Sequence, residues 1–579
     1  MAILNNNPLI GASGQSRGYQ IQRSLRFNSA DSTYLNRTPA SDTSSNKKGT
    51  FSCWIKVSSN SGTNGGTLLG AADTYFYGQF YNETLYFGND TLYLNTAAVF
   101  RDFSAWYHVV FVFDTTLATA NDRMQIWVNG VRQTVGSFNT QPSQNSNFKF
   151  LNTAQAYEIG RRPAGSYFNG YMADINFIDG QALTPSSFGE TDADTGVWKP
   201  KAYSGSYGTN GFYLKFADNS GTTSTTLGKD SSGNGNNWTP NNFSVTAGAG
   251  NDSLVDTPTP YGTDTGAGGE VRGNYATFNP NDYQGSTGLS NGNLDISGTS
   301  VGDFGTIKVT SGKWYFEFRK NADGDNQLGI ASGNIFQSAN NFGVTCFRRV
   351  WRDANNSPVW VTDGSNAGSG TAQSLATGDI LGVALDLDNN AVYFAKNNTW
   401  MNSGVPTSGA SKTGAIWTDL SGGTWQITAS ANANGCYTSL NTGQRPFAYT
   451  APSGFKALCT QNLPTPTIGA TSTTQAGKYF NTVLYTGTGS SNSLTGVGFQ
   501  PDFVWIKGRS GATDHGLYDA VRGVQKQLES NNLDAETTET TGLTAFGSDG
   551  FTVGALAQLN TSSATYVGWN WNGGGSNAS

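Results

Sequence analysis

Two stretches of this chain alternate apolar and polar residues with a two-residue period, the period of a β-strand. The first is Trp106-Tyr-His-Val-Val-Phe-Val-Phe-Asp114, followed by Met124-Gln-Ile-Trp-Val-Asn-Gly130 and Gly170-Tyr-Met-Ala-Asp-Ile-Asn-Phe177. The second is Gly312-Lys-Trp-Tyr-Phe-Glu-Phe318, followed by Gly378-Asp-Ile-Leu-Gly-Val-Ala-Leu-Asp-Leu-Asp388 and Ala391-Val-Tyr-Phe-Ala-Lys396. Successive side chains of a strand point to opposite faces, so this pattern predicts one buried face and one wet face. Turn residues separate the runs at the spacing of β-sandwiches.

Composition supports strands over helices. Gly reaches 74 residues and charged residues only 13%, a balance that suits turns and weakens helices. Aromatics at 12% are too many for a disordered chain. At 579 residues the chain exceeds one core and predicts three or four domains. Net charge is −6 with no basic run, which argues against a nucleic-acid partner. No window approaches the length of a membrane span, and the opening Met1-Ala-Ile-Leu-Asn-Asn-Asn-Pro8 predicts no signal peptide and no membrane insertion. Cys53, Cys346, Cys436 and Cys459 are widely spaced, so a zinc site and a disulfide framework are disfavoured. Cys346 and Cys436 fall in one domain as a conceivable pair; the alternative is that each is a small buried hydrophobe. Synthesis in a reducing host cytoplasm is expected.

Five segments follow. Residues 1–20 are Asn-, Gly- and Ser-rich, either a loose tail or a docking arm. Residues 21–240 read as a large sandwich. Residues 241–272, with Pro258 and Pro260, have linker composition. Residues 273–460 read as a second sandwich, and 467–579 as a smaller β domain beyond Pro464 and Pro466.

The Trp106-x-His108 strand, the Val128-Asn129-Gly130 turn and the Gly170 to Asp174 run together resemble the laminin-G-like, concanavalin-A-like jelly roll. Gly312 to Phe318, Leu328-Gly-Ile330, Gly378 to Asp388 and Asn441 to Thr450 resemble the SPRY jelly roll. The phrase Gly498-Phe-Gln-Pro-Asp-Phe-Val-Trp-Ile-Lys507 resembles repeats in virion fibre proteins of marine tailed phages, and Arg23 to Pro39 adds to that likeness. The fold implied is all-β: tandem jelly-roll sandwiches, concanavalin-A-like then SPRY-like, then a C-terminal β domain. The resemblance implies a virion surface component, such as a tail fibre.

The titratable residues form no catalytic constellation in the sequence. His108 lies within a strand and is expected half-buried or facing solvent, and His515 lies in a polar loop; neither has a nucleophile in triad context. Glycoside hydrolysis needs two carboxyls about one bond. Glu158 and Glu317 stand alone, Asp386 and Asp388 share a strand, and Asp192 and Asp194 share a loop. No enzyme is expected. The jelly-roll resemblance implies a Ca²⁺ at a loop rim, with Asp114, Asn121, Asp122 and Asp174 as candidates; turn-making is their alternative role. No cofactor is otherwise required. Asp230-Ser-Ser-Gly-Asn-Gly-Asn236 imitates a calcium loop but lacks its closing Glu. Sugars stack on exposed aromatics, and Tyr75, Tyr77, Trp351 and Trp360 are expected in loops as ligand-binding candidates. Trp569 and Trp571 alternate and share a face.

The expected function is adhesion to a host surface glycan or receptor by a virion appendage, homotrimeric and joined to other virion proteins through its N-terminal arm. The alternatives are a capsid-decorating or tail structural protein without free ligand, and a polysaccharide depolymerase.

Overall fold

Alternation along the strand Lys48–Val57 sends Phe51, Cys53, Ile55 and Val57 to one side and Thr50, Ser52, Trp54 and Lys56 to the other, and in the computed structural model all eight are buried. The structure describes residues 18–573 except 41–45, 59–65, 72–76, 90, 139, 149, 152–154, 164, 193–194, 265–270, 282–287, 299–300, 333–346, 355–356, 363–364, 367, 421, 432–434 and 465–475. The chain is all-β, as its alternation implies. Two compact units divide it, residues 1–465 and 466–579. Among the described residues no helix is long and apolar enough to cross a membrane.

The first sandwich packs two sheets. One runs Val131–Arg132, Met124–Val128, Tyr107–Asp114, Lys48–Val57, Gly170–Asp179, Ser24–Phe27, Ser253–Leu254, with Phe212–Leu214 also on Gly170–Asp179. The other runs from Val135–Phe138 through Tyr93–Thr96, Thr84–Gly88, Tyr77–Tyr81, Gly66–Gly70, Tyr157–Ile159 and Tyr34–Arg37 to Thr239–Asn241. Phe51, Phe111, Phe177, Phe87 and Phe150 are among the side chains that fill the space between them. In Gly170–Asp179 the register slips, so that Asp174 and Ile175 together stand opposite Cys53. Asp174 takes φ 53° there, the signature of a bulge that re-aims one side chain.

The second sandwich has the same plan. Its longest strand, Lys313–Ala322, lies between Ile380–Asp386 and Cys436–Asn441, while Trp425–Ala431 and Asn326–Ser332 lie in the facing sheet. Trp314, Phe316, Phe318, Leu328, Ile330 and Phe394 belong to its core. In the C-terminal unit the strands Phe480–Thr486, Thr565–Trp571, Phe503–Gly508 and Gly516–Asp519 form a four-stranded sheet in that order. Val504, Ile506, Tyr518 and Tyr566 point from it into a small core with Phe551 and Val553.

The polar side of the first sheet corrects the expectation of a wet face. Lys56 Nζ lies 2.9 Å from Asp256 Oδ2, 2.7 Å from Asn274 Oδ1 and 3.1 Å from the Tyr275 carbonyl. Trp106 Nε1 donates to Asp256 Oδ1 at 3.0 Å. Arg26 binds Asp252 at 2.9 Å and reaches the Asn291 carbonyl, and Tyr171 OH donates to the Gly292 carbonyl at 2.6 Å. These partners belong to the second sandwich or to the segment before it, so this face is the seam between the two sandwiches. Residues 241–272 are therefore no solvated linker where described. Ser253–Leu254 extends the first sheet against Ser24–Phe27, and Asn251, Asp252, Val255, Asp256, Thr257 and Thr259 are all buried. Composition cannot separate a solvated Asp from one matched to a buried cation. Of the proposed arm, residues 1–17 lie outside the described residues; Tyr19 OH donates to Asp174 at 2.6 Å.

Lys56→Met leaves the Asp256 carboxylate buried beside a hydrocarbon. It should lower stability by about 3–5 kcal/mol in urea unfolding, and adding Asp256→Leu should recover most of that loss. Equal stabilities of the single and double variants would show that the pair does not hold the seam.

Candidate functional site

A hairpin and a loop of the first sandwich overhang the second and enclose a cleft of about 1160 Å³. The hairpin turns at Asn129-Gly130, whose φ values of 47° and 79° are those of a tight type I′ turn. A Cβ at Gly130 would come within 2.5 Å of the Trp198 ring, so the turn also needs glycine for close approach. Asn129 Oδ1 accepts the His108 backbone N–H at 2.8 Å and ties the turn to the sheet. The loop Ala97–Tyr107 forms the opposite wall, and Asn279, Asn281 and Thr306 come from the second sandwich. Asn281 Nδ2 donates across the gap to the Arg101 carbonyl at 2.8 Å.

The cleft joins an apolar floor to a polar rim. Phe100, Ala105, Trp106 and Val128 line it, and Val99 and Val131 stand 44% and 60% exposed at its mouth. Arg101 and Arg132 stand at the rim, paired with Glu83 and with Asp122. The volume slightly exceeds the ~300–1,000 Å³ of small-molecule pockets, and such pockets favour domain interfaces. Such a cleft can stack an apolar ligand face and bond hydroxyl or carboxylate groups at its edge. The sequence reading missed Arg101, Arg132, Asn279 and Asn281; only the Asn-Gly turn signalled the place.

The predicted aromatic candidates lie elsewhere. Tyr75 falls outside the described residues. Tyr77 begins a strand, 4% exposed, stacked on Tyr86 and under the Arg162 guanidinium. Trp351 is fully buried, pairs with Trp360 across two strands, and donates Nε1 to the Gln373 carbonyl at 2.9 Å. Trp360 packs on Phe394 and Trp417 in the second core. Trp351 and Trp360 hold inward strand positions, and Tyr77 lies covered by Tyr86 and Arg162 on the outer face of its strand, which corrects all three as ligand platforms.

The calcium candidates also disperse. Asp114 meets Lys48 at 3.0 Å and the N–H and hydroxyl of Thr116. Burial alone would push its pKa up, but Thr116 and Lys48 together hold it below the usual carboxylate range. Asp122 pairs with Arg132 at 2.7 Å, and the Asn121 carbonyl accepts from the same guanidinium. Asp174 is buried under the Tyr19 and Tyr213 hydroxyls; burial pushes it up despite those bonds. Strand Lys48–Val57 separates the two ends: Lys48 pairs Asp114, while Trp54 pairs Ala173 beside Asp174, roughly 20 Å along the strand. Among the described residues no three His, Cys, Asp or Glu side chains gather as a metal site. Asp230 accepts the N–H groups of Tyr213, Ser232 and Asn236, the bonding of a turn.

The other titratable candidates hold structural posts. Glu158 binds Arg161, and Glu317 accepts the backbone N–H groups of Ala448 and Tyr449. Asp386 meets Lys313 at 3.2 Å, and Asp388 accepts the Gly312 N–H. Asp192 pairs with Lys199 at 3.1 Å, while Asp194 falls outside the described residues. His108 is 1% exposed, which corrects the expectation of a half-wet ring. It stacks between Trp54 and Trp198. Its Nδ1 accepts from Trp198 Nε1 at 3.0 Å, so Nε2 carries the hydrogen and donates to Ser52 Oγ at 2.8 Å. Burial drives its pKa down to about 3.

Comparison with known proteins gives two partial matches. Residues 29–187 match the concanavalin A-like lectin/glucanases superfamily, so the first sandwich is concanavalin-A-like. Residues 475–579 match a domain of unknown function, DUF7483. No curated protein matches the chain. Similar solved structures include the SPRY domain of human HERC1, at 15% identity and a TM-score of 0.23, covering 30% of this chain and 99% of that one. The native heptameric SAP-like pentraxin of Limulus polyphemus is similar at 18% identity and a TM-score of 0.22, covering 29% and 80%. Scores at this level establish no common fold.

A histidine held neutral by burial favours the folded state while the unfolded ring is also neutral. Its contribution is intact above about pH 6.5 and falls as pH drops from there toward 3, by about 1.4 kcal/mol per unit at most. His108→Gln should flatten the stability curve between pH 7 and pH 4 in urea unfolding. A variant with the same slope as the parent would place the acid sensitivity elsewhere.

Proposed function

We propose that the chain is a non-catalytic adhesion protein of a virion surface, a receptor-facing appendage such as a tail fibre, that holds a host surface glycan in the inter-sandwich cleft. The observation that carries the reading is this cleft at a joint braced by buried ion pairs, with aromatic and aliphatic side chains inside and two guanidinium groups on its rim. Pyranose rings present an apolar face and a hydroxyl edge, which suit that division. The lectin branch of the superfamily matched by residues 29–187 agrees with sugar binding. The virion assignment rests on the fibre-like phrase Gly498 to Lys507 and on the order of the domains. Single contacts of this kind are weak, and a trimer repeated over one particle would supply avidity. The N-terminal arm is proposed to join the chain to other virion proteins.

A second reading, a capsid-decorating or tail structural protein without free ligand, is favoured by the sheet edges. Val131–Arg132 and Val135–Phe138 are terminal strands, and Val131 and Val135 are 60% and 38% exposed. Open edges of this kind offer unpaired backbone groups to which a strand of another chain can add.

Purified full-length protein should bind host cells and their extracted surface polysaccharide, and should release no new reducing ends from it. Arg101→Ala with Arg132→Ala should weaken binding about tenfold at unchanged thermal stability. Undetectable binding, combined with particles that fail to incorporate a Val131→Lys, Val135→Lys variant, would replace adhesion with the structural role. New reducing ends would make the protein a depolymerase.

A further inference from the structure

The four-stranded sheet of the C-terminal unit buries one face and leaves the other rich in rings. Tyr485, Val504, Ile506, Tyr518 and Tyr566 point into the core. On the opposite face Phe480, Trp571 and Phe503 form one row across three strands, with ring centres 5.0 and 5.1 Å apart. Trp569 and Trp505 form the next row at 5.6 Å, with His515 5.7 Å beyond Trp505. Phe480 is 41% exposed and Leu484, on the same edge strand, 60%. A core-forming sheet has no internal need for a doubled aromatic row on its outer side.

Polar groups border the rows. Trp505 Nε1 donates to His515 Nδ1 at 3.1 Å, which puts the imidazole hydrogen on Nε2, where no described residue accepts it. Burial and the charge of Lys507 keep that ring below its ordinary proton affinity, so it stays a neutral donor. Lys507 alternates with Trp505 on the same face and makes no ion pair among the described residues.

Size decides between two occupants. Four strands at ~4.8 Å spacing and about five residues at ~3.3 Å give roughly 300 Å² of projected face. Stacking two copies would hide roughly 600 Å² in total, about half of the ~1,200 Å² at which specific interfaces begin. A short run of sugar rings needs no more than such a strip, with rings below and donors along the border.

We infer that this face is a second carbohydrate-binding surface, on which an extended oligosaccharide stacks along the Phe480–Trp571–Phe503 and Trp569–Trp505 rows and bonds to His515 and Lys507. It belongs to the C-terminal unit and shares no residue with the cleft.

The test is affinity electrophoresis of the full chain in native gels containing dextran, laminarin, xylan or purified bacterial lipopolysaccharide O-chains. Retardation by at least one of these is expected, weakened about tenfold by Trp569→Ala and largely kept by Trp569→Phe. Arg101→Ala with Arg132→Ala should leave this retardation unchanged, which separates the two surfaces. If Trp569→Ala unfolds by near-ultraviolet circular dichroism, Phe480→Ser on the exposed edge decides instead. The inference is overturned by absence of retardation in all four gels or by retardation lost only in the cleft variant. A concentration-dependent dimer in sedimentation that Trp569→Ala breaks would also overturn it and assign the face to a second copy.

Discussion

The joint between the two sandwiches is arranged around a buried lysine. Lys56 Nζ is sealed beneath Asp256, Asn274 and the Tyr275 carbonyl, at distances of 2.7 to 3.1 Å. An ammonium group so removed from water needs every donor answered, and the answers come from beyond the sandwich that carries it. Arg26 and Tyr171 repeat the arrangement on neighbouring strands. A hydrophobic seam could slide, whereas directional bonds to charged groups fix one relative placement of the two sandwiches. The cleft inherits its shape from that placement, since its walls come from both.

Strand positions were legible in the sequence because alternation is a local property. The Trp106 to Asp114 run became Tyr107–Asp114, and the Ala391 to Lys396 run became a strand at the same limits. What those strands do with their polar faces was not legible. Thr50, Ser52, His108 and Lys56 have the polarity of wet residues, and only contacts with segments up to about two hundred positions away reveal them as buried. The stretch 251–259 misled for the same reason: its Asp residues serve as counter-charges, and its turn composition hides a strand.

Candidate sites fared differently by type. The sequence reading puts Tyr77, Trp351 and Trp360 in loops, but tight β-hairpins put loop-like residues within a few positions of strands, and register decides which way a ring points. Trp569 and Trp571 were placed on one face correctly, because that follows from spacing alone. The metal candidates do not gather, since Asp114 and Asp174 lie toward opposite ends of the strand Lys48–Val57 that runs between their own strands. Arg101 and Arg132 escaped notice because a rim residue carries no motif; its meaning comes from the surface opposite.

The seam also imposes an order on birth. Ser24–Phe27 and Lys48–Val57 emerge early from the ribosome, yet their partners Asp252, Asp256 and Tyr275 emerge 200 to 226 residues later. Until then the nascent sandwich holds Arg26 and Lys56 on an uncovered flank, free to stay hydrated and unable to close. Maturation of the N-terminal half thus waits on translation of the next, and a chain truncated between them carries a cationic flank instead of a finished domain.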